Sequence, residues 1–151
     1  TENEVMLYDF HGSRPRLFCT HPAKGSKEAP QTRLRDFFWM DDSTILIITA
    51  SGLQLSAVVP PKQALRNLKT LSTTVDAWCY DAQHGLLVVR NHSRPRTLKG
   101  YHVDTQGVAR MTELQLPEAP APGNTDMQIA VMYDRVFLLL LNSERQELSL
   151  Y

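Results

Sequence analysis

The segment that decides the fold is residues 45–59, which read ILIITASGLQLSAVV. Two runs rich in isoleucine, leucine and valine flank the short polar turn Ser51-Gly52. Runs of this length and composition on both sides of a glycine-containing turn are typical of a β-hairpin. The segment therefore predicts two antiparallel strands, over residues 45–49 and 53–59.

The same strand-turn-strand unit recurs along the chain. The other three units span residues 5–19 with a turn at Ser13, residues 86–103 with a turn at Ser93, and residues 136–151 with a turn at Ser143. The four turn serines lie 38, 42 and 50 residues apart. A period near ~40 residues with several strands per repeat indicates β-propeller blades rather than a sandwich or a helical solenoid.

A second marker precedes each of the last three units, where an apolar segment ends in aspartate. The three segments are WMDD at 39–42, WCYD at 78–81 and VMYD at 131–134. An aspartate at a strand end favours a turn, because its carboxylate accepts hydrogen bonds from the backbone two residues on. Trp39 and Trp78 occupy equivalent positions, so we expect both rings to pack within the blades rather than to lie exposed.

These repeats predict an all-β fold, a partial β-propeller of about three to four divergent WD40-like blades. The predicted repeat units are approximately 1–32, 33–72, 73–116 and 127–151, all within one N-terminal propeller domain over 1–151. Residues 117–126 are proline-rich and predict an inserted loop, because proline donates no hydrogen bond to a sheet. Residues 62–71, after Pro60-Pro61, predict a turn and an outer strand rather than a helix.

The repeat count and the termini also predict a fragment. Three and a half blades do not close a ring of typically 4–8 blades, so we expect further blades outside these residues. The first residues lack an initiator methionine and a signal-peptide core, which agrees with a boundary cut from a longer chain.

The charge composition excludes some classes of partner. The chain has 16 basic and 16 acidic side chains, so it lacks the basic excess of a nucleic-acid-binding protein.

The longest apolar run, residues 136–141, is far shorter than the ~20 residues that span a bilayer, so we expect any membrane contact to be indirect. Two cysteines, Cys19 and Cys79, make no disulfide framework and favour reduced thiols in a cytoplasmic protein.

No sequence motif for catalysis is present, and we predict no catalytic residue, no cofactor and no metal site. Asp41 and Asp42 are adjacent, so on a strand they point to opposite faces and do not form an acid-base pair. Cys19 and His21 share a strand face but leave a tetrahedral metal shell unfilled. The glycosylation pattern Asn91-His92-Ser93 is interpreted as a turn. A propeller enzyme or lectin would need carboxylates or histidines that converge in the central channel. The strands predicted here are mostly apolar, which disfavours that class of protein.

The tetrapeptide Ser-Arg-Pro-Arg occurs twice, at residues 13–16 and 93–96, at the same turn position of two units. Proline stiffens such a turn, and the planar guanidinium donors suit carboxylates on a partner or phosphates on a lipid head group. Arg14, Arg16, Arg94 and Arg96 are therefore the candidate partner-binding residues. The alternative interpretation is a solvated surface turn.

Several motifs, in order and spacing, resemble the regulator subunit of the Mon–Ccz guanine nucleotide exchange complex. They are Phe38-Trp39 followed by STI at 43–45 and TASGL at 49–53, then Val75, Trp78 and Tyr80, then ELQLPEAP at 113–120, and then Ile129, Ala130 and Tyr133. The resemblance covers most of the chain.

The resemblance implies an N-terminal β-propeller that docks, as a non-catalytic scaffold, on the Mon–Ccz heterodimer, the exchange factor for the late-endosomal Rab GTPase. It further implies a role in endosome maturation, lysosomal trafficking and autophagy, and a cytoplasmic protein peripherally associated with late endosomes and lysosomes. The alternative is a propeller of another vesicle coat or endolysosomal tethering subunit.

Overall fold

The computed structural model describes residues 4–10, 13–22, 33–60, 64–91, 93–118, 125–133, 135–142 and 147–150. These residues form thirteen β-strands: β1 (Glu4–Asp9), β2 (Arg16–Pro22), β3 (Leu34–Trp39), β4 (Thr44–Thr49), β5 (Gly52–Val59), β6 (Ala64–Ser72), β7 (Ala77–Asp81), β8 (Leu86–Arg90), β9 (Thr97–Asp104), β10 (Gly107–Gln115), β11 (Thr125–Met132), β12 (Arg135–Asn142) and β13 (Glu147–Leu150). Within these ranges no helix is long and apolar enough to cross a membrane.

The strands form four sheets in which each strand pairs with its neighbours in the chain. The first sheet is β1-β2, the second is β3-β4-β5-β6, the third is β7-β8-β9-β10 and the fourth is β11-β12-β13. The predicted strand-turn-strand units are the antiparallel pairs β1-β2, β4-β5, β8-β9 and β12-β13. The prediction of an all-β fold built from repeated antiparallel strands is therefore confirmed.

The chain divides into two compact units, one of residues 1–74 and 105–107 and the other of residues 75–104 and 108–151. In the first unit, all six residues of β4 are buried, as are the first five of β5. Ile45 and Ile47 pack against Val5, Leu7 and Cys19 of the first sheet. This apolar cluster holds the first sheet on the second. The continuous run of buried residues in β4 and β5 explains why residues 45–59 are the most apolar stretch of the sequence pattern.

The core of the second unit joins the third and fourth sheets. Its buried members are Leu98, Leu116, Met127, Leu138 and Leu140, with half-buried Ala77, Cys79, Val88 and Ile129 packed against them. Both cysteines are free, and Cys19 is buried. Burial raises the pKa of the Cys79 thiol to about 12, so this side chain stays a neutral apolar group at physiological pH.

The prediction for the tryptophans is wrong at Trp39. Trp39 is 50% exposed, whereas Trp78 is half-buried. Trp39 is the last residue of β3, an edge strand of the second sheet that pairs only with β4 among the described strands. A ring at the end of an edge strand is covered on fewer sides than one in the sheet interior, and periodicity alone does not reveal this.

Other local predictions agree with the structure. The segment after Pro60-Pro61 forms the outer strand β6, although residues 61–63 lie outside the described ranges. The Asp41 carboxylate accepts a 2.8 Å hydrogen bond from the Ser43 backbone nitrogen, and the Asp81 carboxylate accepts one of 2.9 Å from the Gln83 backbone nitrogen. The aspartate turns are thus confirmed at these two positions. Asp134 is outside the described residues, as are residues 119–124 of the predicted insertion.

Candidate partner-binding turns

The first Ser-Arg-Pro-Arg turn connects β1 to β2 in the first unit. Ser13 and Arg14 form a bend, Pro15 follows, and Arg16 begins β2 directly opposite Asp9. All four residues of the turn are exposed. Because the proline ring fixes one backbone dihedral angle, the two arginines project from a stiff hairpin end.

The second Ser-Arg-Pro-Arg turn connects β8 to β9 in the second unit, and backbone hydrogen bonds define its shape. The Arg94 nitrogen donates to the Asn91 carbonyl at 3.0 Å, and the Thr97 nitrogen donates to the Arg94 carbonyl at 2.9 Å. The Asn91 side-chain oxygen accepts from the Ser93 nitrogen at 2.8 Å and from the Ser93 hydroxyl at 3.0 Å. The predicted turn at Asn91 and Ser93 is confirmed, and the arginines stand on a well-bonded loop.

Arg96 differs from the other three arginines because it also bonds Leu116, the residue that follows β10. Its carbonyl accepts a 2.8 Å hydrogen bond from the Leu116 nitrogen, and its Nε donates a 3.0 Å hydrogen bond to the Leu116 carbonyl. Leu116 is 1% exposed and belongs to the core of the second unit. Arg96 therefore anchors the turn to the core, while Arg94 lies exposed beside it.

The other candidates for chemistry lie apart from the arginine turns. In the described part of the chain, no group of three or more His, Cys, Asp or Glu residues could hold a metal ion. The backbone of His21 lies in β2, but its side chain is outside the described residues. Asp41 is engaged in its turn with Ser43, and Asp42 is exposed.

The hairpin between β7 and β8 contains a side-chain hydrogen bond between aspartate and histidine that the sequence did not predict. The Asp81 carboxylate lies 2.7 Å from His84 Nδ1. The hydrogen bond from the His84 side chain is the main cause that holds the pKa of Asp81 below its usual value, and the backbone nitrogens of His84 and Gln83 add to it. Gly85 completes the turn with a φ of 62°, a left-handed conformation that suits glycine.

We expect Asp81→Ala to lower the free energy of unfolding at pH 7 by about 1 kcal/mol, because it removes hydrogen bonds that order this turn. A carboxyl whose pKa is lowered by folding stabilises the fold above its unfolded pKa and loses that contribution as the pH falls through its folded pKa. The difference between parent and variant should therefore shrink below about pH 4. Urea denaturation at pH 7 and pH 3 measures it, with Asp42→Ala as the exposed control. An equal loss at both pH values would contradict the role of the carboxylate charge.

The second unit also contains an apolar groove with a volume of about 250 Å³. Its aliphatic lining comes from β8, β9, β10 and β12, through Val88, Leu98, Leu114, Val136 and Leu138. Gly100 widens it, since a Cβ atom there would lie 3.4 Å from Thr112 Cγ2. The described residues that line this groove include no charged side chain.

Comparison with known proteins agrees with this architecture. No protein-family model matches the chain. It is 24% identical over 165 residues to "Regulator of MON1-CCZ1 complex" of Homo sapiens, a match that covers 100% of this chain and 24% of the human protein. The protein of the same name from Mus musculus is 24% identical over 129 residues, covering 76% of this chain and 20% of the mouse protein. The chain is homologous to these regulators and spans about a quarter of their length or less.

Two solved structures share the fold. A protein from Lactobacillus plantarum superposes with a TM-score of 0.59 at 14% identity, over 98% of this chain and 49% of its own. The periplasmic gluconolactonase of Pseudomonas aeruginosa superposes with a TM-score of 0.54 at 18% identity, over 76% of this chain and 34% of its own. Both neighbours are β-propellers, which confirms the predicted fold class. At these identities the likeness shows the fold and carries no activity to this chain.

Proposed function

We propose that this chain is a non-catalytic β-propeller module that binds the MON1-CCZ1 heterodimer. In this role it supports the exchange factor for the late-endosomal Rab GTPase, in endosome maturation, lysosomal trafficking and autophagy. The protein then works in the cytoplasm, at the surface of late endosomes and lysosomes. The observation that carries the proposal is the similarity to the human regulator along the whole of this chain.

The exposed arginine turns are the proposed contact points. Arg14, Arg16 and Arg94 are exposed on connections between strands, where sequence changes cost the sheets least and binding residues concentrate. A guanidinium offers two parallel hydrogen-bond donors to a carboxylate, so we expect these turns to bind acidic segments of the heterodimer. Arg96 contributes through the geometry that its bonds to Leu116 impose on the second turn.

The experiment is size-exclusion chromatography of the full-length protein with the purified MON1-CCZ1 heterodimer of the same organism. Co-elution as a stoichiometric complex is the expected result. The same run with the 151-residue chain tests whether this part binds by itself. Separate elution of the full-length protein from the heterodimer would overturn the proposal and favour a propeller of another coat or tethering complex.

The arginine turns make a sharper prediction within that complex. We expect the double variant Arg14→Ala/Arg94→Ala to raise the dissociation constant about tenfold, because two charged contacts at ~0.2–1 kcal/mol each approach the 1.4 kcal/mol of one decade. The affinity of the parent should also fall with added salt, since exposed ion pairs are screened. Biolayer interferometry at salt concentrations between 50 and 300 mM measures both effects. This range includes 0.1 M, where the Debye length is roughly 10 Å.

The matched control is Arg33→Ala/Arg135→Ala, which removes one exposed basic side chain from each compact unit and leaves both turns intact. We expect this control to bind as the parent does. If both double variants weaken binding equally, net charge rather than the turns determines the affinity. In that case the assignment of Arg14 and Arg94 is wrong.

A further inference from the structure

Strand β10 is an outer strand whose free edge would accept another strand. It lies at the end of the third sheet and pairs with β9 alone among the described strands. Its residues from Ala109 to Gln115 are all exposed. An exposed edge of this length presents unpaired backbone groups that can pair with another chain.

The sequence of β10 favours pairing of this exposed edge with another strand. Residues 108–115, VARMTELQ, contain no proline and no glycine, and Met111 and Leu114 are exposed apolar side chains. The only charges in these eight residues are those of Arg110 and Glu113. A β-prone segment of six or seven residues with low net charge, no proline and few glycines is the composition that self-associates into stacked strands, and a charge within it opposes that association.

Arg110 and Glu113 form an ion pair with each other. Residues three apart on a strand point to opposite faces of the sheet, so their side chains meet only by passing around one edge of the strand. The other edge of β10 is occupied by β9. The pair therefore crosses the free edge, over the backbone of the two residues between them.

We propose that the Arg110–Glu113 ion pair closes the free edge of β10 against strand addition by a second copy of this chain. To pair with this edge, an incoming strand must displace both side chains and remove two charges from water, which is costly unless new partners are supplied. The partner that the edge excludes is another copy, because an identical strand offers the same exposed apolar residues for in-register stacking.

The outer strand of the second sheet carries a comparable obstruction of another kind. The register of β5 with β6 shifts between Leu55 and Ser56, which pair with Lys69 and Asn67, so the exposed Leu68 between them forms a bulge in β6. Arg66 and Lys69 place two exposed positive charges near that leucine. Bulges and edge charges both oppose pairing between sheets.

The test is the double variant Arg110→Thr/Glu113→Thr, which keeps the net charge of the chain and retains β propensity. We expect sedimentation velocity to show concentration-dependent association of the variant at concentrations where the parent sediments as a smaller species, with far-UV circular dichroism unchanged. The control Arg110→Glu/Glu113→Arg restores a pair of opposite charges and should sediment as the parent does.

The single variant Glu113→Gln keeps the shape of the side chain while removing its charge, so it provides a second measurement should the double variant fold poorly. It should associate more strongly than the parent and less strongly than the double variant. Sedimentation of the folded variants indistinguishable from the parent would overturn the proposal. This test is independent of binding to MON1-CCZ1.

Discussion

Replacing Ile47 with alanine is expected to lower the free energy of unfolding by about 2–5 kcal/mol, the usual cost of truncating a fully buried isoleucine. Ile47 is 0% exposed in the centre of β4 and packs against Val5, Leu7 and Cys19. The cavity left by the substitution lies between the first and second sheets, so the first sheet should lose its attachment before the second unfolds. Denaturant unfolding measures the total loss, and amide exchange at Val5 and Leu7 measures the local one.

The control for this prediction is Leu68→Ala, at a residue that is 41% exposed on β6. Leu68 buries less apolar surface on folding than Ile47 does, so we expect Leu68→Ala to lower the free energy of unfolding by roughly 1 kcal/mol or less. Equal losses for Ile47→Ala and Leu68→Ala would mean that the cluster between the two sheets does not hold the first unit together.

The second large effect is expected from Asp76→Asn, which should destabilise the second unit by about 1–3 kcal/mol, the usual cost of leaving a buried polar group uncompensated. Arg90 is 4% exposed on β8, and its carbonyl accepts a 2.9 Å hydrogen bond from the Asp76 nitrogen. Burial lowers the pKa of Arg90, and the attraction of the Asp76 carboxylate opposes that shift. Neutralising Asp76 leaves a buried positive charge without its opposite charge.

A second substitution distinguishes the charge from the loss of any other Asp76 contact. In the Asp76→Asn background, Arg90→Met removes the buried charge and keeps an unbranched apolar stem of similar length, so most of the lost stability should return. Thermal and urea unfolding of the parent, the two single variants and the double variant complete the cycle. A double variant that is no more stable than Asp76→Asn would show that the buried charge of Arg90 is not the cause.

Local structure was largely predictable from the residues themselves. Strands such as β4 and β8 are dense in Ile, Leu and Val, and the turns that follow them contain serine, glycine or asparagine. Each strand pairs with its neighbour in the chain, so residues close in the sequence determine the pairing. The aspartate turns at Asp41 and Asp81 follow for the same reason, because the carboxylate and its donors lie two residues apart. Strand β10 was not identified, since its mixed residues lack a repeated apolar pattern.

The candidate site was predictable in part. The repeated tetrapeptide located both arginine turns, since a proline between two arginines marks an exposed stiff loop in any fold. Its repetition did not reveal that Arg96 bonds Leu116, twenty residues further on. It also did not reveal the Arg110–Glu113 pair, whose i,i+3 opposite charges were the available signal.

The sequence by itself determined that this chain forms repeated antiparallel hairpins of an all-β, propeller-like fold, because side-chain alternation and turn chemistry act over a few residues. Only the tertiary structure decided which faces are covered. Trp39 and Trp78 occupy equivalent positions, yet Trp39 is exposed at the end of an edge strand and Trp78 is half-buried. Burial depends on which sheet packs on which, and that is set by distant residues such as Val5 and Ile47 meeting in one core.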